Sequence, residues 1–221
     1  MEPGELAALI EHTLLRPGAG ERDVRALCAE AREYGFFAVC VHPVHVSLAR
    51  GLLGESPVRV ATVVGFPLGM NLTPVKVYEA MQAALEGADE LDMVMKVGAA
   101  REGRWEAVQR DMADVVLATP ELTHKVILEC ALLSDEEKVR AARAAVEAGA
   151  EFVKTSTGFG PWGARVEDVG LLREAVGGRA GVKAAGGIKT LADLLSMVRA
   201  GAARIGTSSG VAIMKEAARG R

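Results

Sequence analysis

Asp89-Glu-Leu-Asp-Met-Val-Met95 is a strand-length run in which charge and apolar bulk alternate. With a period of two, Glu90 and Asp92 fall on one face and Leu91 and Met93 on the other. A strand buried on both faces of a parallel sheet ordinarily reads as an unbroken apolar run. The same parity recurs downstream. Lys125 and Glu129 share a face in Lys125-Val-Ile-Leu-Glu129, Lys154 lies between Val153 and Thr155, and Lys183 lies between Val182 and Ala184. With the apolar residues facing surrounding helices, all of these charges point into one interior.

The spacing of such runs says what encloses that interior. β-type runs begin near Phe37, Val58, Asp89, Lys125, Phe152, Val182 and Arg204, each followed by a longer helical pattern. The six intervals from Phe37 to Arg204 average about 28 residues, the β-then-α spacing that right-handed crossovers in a parallel sheet require. Eight such repeats need about 224 residues, and the chain has 221; Ile10–Thr13 is the candidate for the remaining strand. The helices are punctuated at both ends. Glu21–Tyr34 stops at Gly35, Thr73-Pro74 reads as a cap with an N1 proline, Ser134-Asp-Glu-Glu137 is a capping box, and Thr190 caps a helix closing at Gly201. The reading is an α/β fold: a single (β/α)8 TIM barrel with a short N-terminal helix, residues 1–221 as one domain. Periodicity alone is also compatible with a doubly wound open sheet.

Composition removes several function classes. Half the residues are apolar and a quarter charged, which is ordinary globular composition. With 26 Lys+Arg against 29 Asp+Glu the formal charge is −3, which offers neither a nucleic-acid footprint nor a polybasic membrane anchor. The longest uncharged stretch, Val60 to Val75, is interrupted by Gly, Pro and Asn and is too short to span a bilayer. The acidic start, Met1-Glu-Pro-Gly-Glu5, lacks the basic region of a signal peptide. Cys28, Cys40 and Cys130 are widely spaced and odd in number, against a disulfide framework. The four histidines show no HxH or HExxH ligand spacing. A cytoplasmic protein without a metal is expected.

Buried charges cost several kcal/mol each unless paired. A structural ion-pair layer, with Glu90, Asp92 and Glu129 neutralising the lysines, accounts for Lys125 and Glu90 as well as any functional role does. Lys154, Lys183 and Asp92 lie nearer the C-terminal strand ends, the face on which barrel active sites are built. They lead into Thr155-Ser-Thr-Gly-Phe-Gly160, Gly186-Gly187 and Gly206-Thr-Ser-Ser-Gly210. Glycine turns after the last two strands let backbone N–H groups close on a phosphate, with Ser208 and Ser209 adding hydroxyl donors; each turn by itself is equally a tight connection. An amine in an apolar pocket beside a second cation has a depressed pKa and serves as the nucleophile of a Schiff base. Lys154 and Lys183 fit that pairing, with Asp92 across the barrel to move protons. Cys40 alternates with Val39 and Val41 and faces the interior near them, read as a small packing residue in preference to a reactive thiol. The charges Glu136, Glu137, Lys138 and Arg140 read as a solvated helix face. An isomerase barrel, or a sugar-phosphate binder without chemistry, remains open on these residues alone.

Taken in order, Ile10-Glu-His-Thr-Leu-Leu-Arg-Pro17, Val39-Cys-Val-His-Pro43, Val63-Val-Gly-Phe-Pro-Leu-Gly69, Gly87-Ala-Asp-Glu-Leu-Asp-Met-Val94, Lys154-Thr-Ser-Thr-Gly-Phe-Gly160, Val182-Lys-Ala-Ala-Gly-Gly-Ile188 and Gly206-Thr-Ser-Ser-Gly210 resemble the deoxyribose-phosphate aldolase family, class I aldolases of the deoC type. The resemblance implies Lys154 as Schiff-base lysine, Lys183 as the lysine that lowers its pKa, and Asp92 as proton relay. It implies substrate and phosphate contacts from Thr157, Gly158, Gly186, Gly187, Gly206, Ser208 and Ser209, with Glu11 and Cys40 in support. It further implies metal-free, reversible cleavage of 2-deoxy-D-ribose 5-phosphate in deoxyribose phosphate catabolism, by a homodimer or homotetramer. Three positions depart from the family pattern. Glu11 replaces a common Asp, Lys96 replaces a common Asn and is expected to add charge near the mouth, and the sequence ends at Gly220-Arg221 without a Tyr-terminated tail. Lower turnover, or proton transfer served by another group, is the expected consequence of the last.

Overall fold

The structure, a computed structural model, describes residues 1–219; Gly220 and Arg221, where the tail difference falls, lie outside the described residues. The first half of the chain runs α1 (Pro3–Ala7), β1 (Ile10–Leu14), α2 (Glu21–Tyr34), β2 (Ala38–Val41), α3 (Val46–Leu53), β3 (Arg59–Val64), α4 (Thr73–Leu85) and β4 (Glu90–Val94). It continues through α5 (Val97–Arg101), α6 (Trp105–Ala118), β5 (Thr123–Ile127), α7 (Asp135–Glu147), β6 (Phe152–Lys154), α8 (Val166–Val176), β7 (Gly181–Ala185), α9 (Leu191–Arg199), β8 (Arg204–Thr207) and α10 (Gly210–Arg219). All eight strands are parallel and close in sequence order, β8 pairing with β1. The closed barrel replaces the open-sheet alternative, and the weakest strand assignment, near Ile10, is β1.

Small residues make this packing possible. Ala80 and Ala83 of α4, and Ala141, Ala142, Ala144 and Ala145 of α7, are buried, so the helix backbones sit close against Val, Leu and Met of the outer strand faces. Local signals fix the helix ends. Ser134 Oγ accepts from Glu137 N–H at 3.3 Å while Glu137 Oε2 accepts from Ser134 N–H at 2.7 Å; Thr190 and Asp193 close the same box on α9. Both match the sequence reading.

Two readings of polar helix residues change. Thr73 is the first residue of α4 and does not cap it; the N-cap is Leu72. The Thr73 hydroxyl instead donates to Asp111 Oδ1 at 2.7 Å and accepts from Lys96 Nζ at 2.7 Å, because a buried carboxylate on α6 outcompetes the helix end. Lys138 is buried rather than solvated, its Nζ 2.6 Å from Asp168 Oδ1 on α8. At the N-terminal end of the barrel, the Arg204 guanidinium stacks 3.3 Å from the centroid of the Phe37 ring, closing the floor.

Candidate active site

Strand register sets the site. β4 and β5 place Asp92 beside Lys125, and β6 and β7 place Lys154 beside Lys183. Alternation turns all four side chains inward, as the parity of the sequence requires. The structure gathers them on one carboxylate. Asp92 Oδ1 accepts from Lys125 Nζ at 2.8 Å, and Oδ2 accepts from both Lys154 Nζ at 2.7 Å and Lys183 Nζ at 2.6 Å. The amines of Lys154 and Lys183 are therefore no farther apart than those two bonds laid end to end. Lys183 also donates to Glu11 Oε2, while Lys125 lies 2.6 Å from Glu90 Oε2 and 3.5 Å from Glu11 Oε2.

Three lysines thus face three carboxylates, and the cluster is formally neutral. That balance is how the barrel holds six ionisable groups away from water. Burial pushes the Asp92 carboxyl up, but the fields of Lys125, Lys154 and Lys183 outweigh it and hold the group well below the usual carboxylate range. Burial likewise pushes Glu11 up, and Lys125 and Lys183 reverse the sign. Lys183 is pulled down by burial and lifted further by Asp92 and Glu11, so it stays protonated above the ordinary lysine value. The surroundings of these lysines are therefore ionic, not the apolar pocket expected from the sequence.

Above the cluster, at the C-terminal strand ends, lies a cavity of about 560 Å³. Lys154 reaches it; Lys183 and Asp92 sit buried underneath and do not line it. Thr157, Gly158, Gly186, Gly187, Gly206 and Ser208 line the wall, joined by Arg16 and Lys189, which the sequence reading did not single out. Ser209 is not part of the lining; its N–H donates to Thr207 Oγ1 at 2.9 Å. Two glycine positions are dictated by close approach. Gly186 has φ +91°, and a Cβ on the facing Gly163 would come within 2.1 Å of the Gly186 carbonyl oxygen. A Cβ on Gly206 would stand 3.1 Å from both Lys183 Cε and Ala185 Cβ, crowding the stem of the buried lysine.

Glu129 does not join the ion-pair layer. β5 ends at Ile127, and Glu129 follows with φ 55°, which takes its side chain out of the strand alternation. Its carboxylate instead accepts from the Thr157 hydroxyl and, at 3.3 Å, from the Thr157 N–H, pinning the loop after β6. Lys96 adds no charge to the mouth. Its Nζ is 3.0 Å from Asp111 Oδ1, on the outside of the barrel beside Lys76. Cys40 is buried in a small apolar group with Leu15, Ala61 and Val63, against which Phe66 packs. Burial foremost, then the Asp92 charge, push its thiol up to about 11, so it is an inert packing residue at neutral pH. No helix among the described residues is long and apolar enough to cross a membrane.

A closed parallel barrel whose interior lysine opens on a cavity at the C-terminal face, with a glycine-rich wall beside it, defines a barrel enzyme acting on carbonyl compounds. Comparison with known proteins makes this specific. Residues 8–217 match the DeoC/LacD family aldolase, and the chain belongs to that family: it is an aldolase. A deoxyribose-phosphate aldolase of Carboxydothermus hydrogenoformans is 52% identical over 215 residues, covering 96% of this chain and 94% of that one. That of Deinococcus radiodurans is 53% identical over 209 residues, covering 95% of each. The tetrameric deoxyribose phosphate aldolase of Aeropyrum pernix superposes with a TM-score of 0.91 at 39% identity, over 97% of this chain and 91% of the other.

Proposed function

We propose that this aldolase reversibly cleaves 2-deoxy-D-ribose 5-phosphate to acetaldehyde and D-glyceraldehyde 3-phosphate through a Schiff base on Lys154. One observation carries the assignment of the nucleophile: Lys154 and Lys183 share Asp92 Oδ2, and of the two only Lys154 reaches the cavity. The names of the half-identical relatives support the substrate. The phosphate end fits the wall formed by the turn Gly186–Lys189 and by Gly206–Ser208, the end of β8 ahead of α10, where glycine backbone and the Lys189 cation line the cavity. The open-chain aldehyde then extends down to Lys154.

The unprotonated Lys154 amine attacks C1, and loss of water gives an iminium ion. Removal of the C3 hydroxyl proton breaks the C2–C3 bond, and its electron pair settles into an enamine while glyceraldehyde 3-phosphate leaves. Protonation of the enamine carbon and hydrolysis of the regenerated iminium release acetaldehyde and restore the lysine. Cluster neutrality explains why this interior suits the path. The iminium carries the same positive charge as the ammonium it replaces, so the three carboxylates stabilise the intermediate through an arrangement already in place. Asp92, which accepts from both amines beneath the cavity, relays protons between them, and Lys183 supplies the fixed cation beside the nucleophile. Glu11, one methylene longer than the Asp common in the family, reaches Lys183 directly and holds it there.

The iminium is itself the electron sink, and on this reading no metal takes part. Three unpaired, buried cysteines support a reducing, cytoplasmic setting. The tetrameric relative supports assembly of this chain as a homodimer or homotetramer. The test is substrate-dependent inactivation. Borohydride added with deoxyribose 5-phosphate destroys activity irreversibly while borohydride alone does not, and activity survives prolonged EDTA treatment. Protection from borohydride in the presence of substrate, or loss in EDTA restored by zinc, overturns the mechanism.

A further inference from the structure

Residues 60–75 hold no charge, and the next two charges on α4 both turn inward. Lys76 Nζ donates to the Val94 carbonyl at 2.8 Å and to Asp111 Oδ2 at 2.6 Å, and Glu79 Oε2 accepts from Gly65 N–H at 2.7 Å. What α4 presents outward is apolar. Val75, Tyr78, Met81 and Leu85 recur every three or four residues along one stripe, 45–78% exposed. The loop entering the helix adds Leu68, Met70 and Leu72. Leu117 of α6 closes a groove of about 670 Å³ against Tyr78 and Met81, with Asp114 at its edge. These are eight of the fourteen large apolar side chains exposed among the described residues, so the clustering is not scatter. Elsewhere the outward helix faces are charged: α7 exposes Asp135, Glu136, Arg140, Arg143 and Glu147.

We propose that this face is covered by a second copy of the same chain, α4 packing on α4 about a two-fold axis. A face whose exposed charge stands at its edge, as Asp114 does, is matched by another of the same kind, and a two-fold axis brings the patch against itself. Eight large side chains at these exposures supply on the order of 800–1000 Å², the share of one partner in a stable interface. The largest apolar patch of a typical monomer is smaller, about 300–600 Å². The contact also reaches the site. The loop Gly65–Leu72 carries Phe66, whose ring meets Phe159 of the cavity wall edge-on at 5.4 Å, so the partner braces one wall of the mouth. The inference rests on the homo-oligomer reading above and adds the surface that forms it.

The test is sedimentation velocity on the full chain at micromolar concentration. Wild type is expected at twice the chain mass or more, and the double variant Tyr78→Lys, Leu85→Lys at the mass of one chain with its circular dichroism unchanged. Val44→Lys with Val166→Lys, the same charge placed on exposed apolar residues off this face, keeps the wild-type mass. Wild type sedimenting as one chain overturns both the homo-oligomer reading and this one; a folded Tyr78→Lys, Leu85→Lys variant that stays assembled overturns this one alone. Should the lysine variants fail to fold, a bis-maleimide reagent is expected to join Tyr78→Cys chains in pairs and leave Val166→Cys chains single. The reverse pattern contradicts the proposal.

Discussion

Among the described residues, two buried aspartates are each shared by more than one lysine, and only one of these clusters has the makings of catalysis. Inside the barrel Asp92 holds Lys125, Lys154 and Lys183; outside it, between α4 and α6, Asp111 holds Lys76 and Lys96. Both are short-range, well-bonded and sealed from water at their centres. They differ in charge balance and in access. The inner lysines face three carboxylates, and Lys183 is lifted above its ordinary value despite burial. Lys76 has one carboxylate, shared with Lys96, and burial pulls its pKa down. The inner cluster opens at a single amine onto a cavity, whereas Lys76 lines neither that cavity nor the groove beside its own helix. A buried lysine–aspartate pair is thus no mark of catalysis; an amine that reaches a carbonyl, backed by carboxylates matched to a cationic intermediate, is.

The largest effect is expected from Lys154→Leu, which removes the one amine with access. Turnover should fall on the order of 10⁴-fold or more, with circular dichroism unchanged; retained turnover would move the nucleophile elsewhere. Asp92→Asn comes next. It leaves three ammonium groups around a neutral amide, and loss of a buried partner costs about 3–5 kcal/mol, read as a lowered urea midpoint together with a loss of kcat on the order of 10²–10⁴-fold. An unchanged midpoint would show that Asp92 is not what holds the lysines. For Lys183→Leu, the pH–rate profile should move to higher pH, because removing a neighbouring cation favours the protonated nucleophile. Full activity at neutral pH would deny Lys183 that role. The smallest effect on chemistry belongs to the outer cluster. Lys76→Met should lower the melting temperature by several degrees while kcat stays within about two-fold of wild type, since catalytic effects are transition-state differences. A collapse of kcat would mean that the two clusters are coupled.

The sign of the shifts gives a further contrast. The folded pKa of Lys183 lies above the ordinary 10.5, so its contribution is fully present below that value and is lost as pH rises through the folded pKa. Asp92 lies well below 3.8, so its contribution is present above that value and lost as pH falls through the folded pKa. The difference in urea stability between wild type and Lys183→Met should therefore hold steady from about pH 7 to pH 10 and close above about 10.5. A gap closing near neutrality would contradict the ionic assignment.

Strand parity made the inner cluster legible before any coordinates, because alternation is a property of the backbone and survives any packing. That Lys154 and Lys183 are neighbours followed from adjacent strands. Parity failed where the strand stopped: Glu129 lies past the end of β5 in a left-handed conformation, and no periodic rule carries across that turn. Lys96, Thr73 and Lys138 were misread for another reason. Their partners, Asp111 and Asp168, are on other helices, and pairing between helices has no sequence period. Lys125, equally suited to a structural role on sequence, proved to share Asp92 with the two site lysines. Arg16 and Lys189 escaped notice because loop cations look like any solvated charge until a cavity is seen beside them.

The mechanism is decided by which buried amine meets the carbonyl. Peptide mapping by mass spectrometry after borohydride reduction with deoxyribose 5-phosphate tests it most directly. The expected result is one reduced adduct, on the peptide carrying Lys154, with Lys125, Lys183 and Lys76 unmodified. An adduct on any of those three, or no adduct at all, would contradict it.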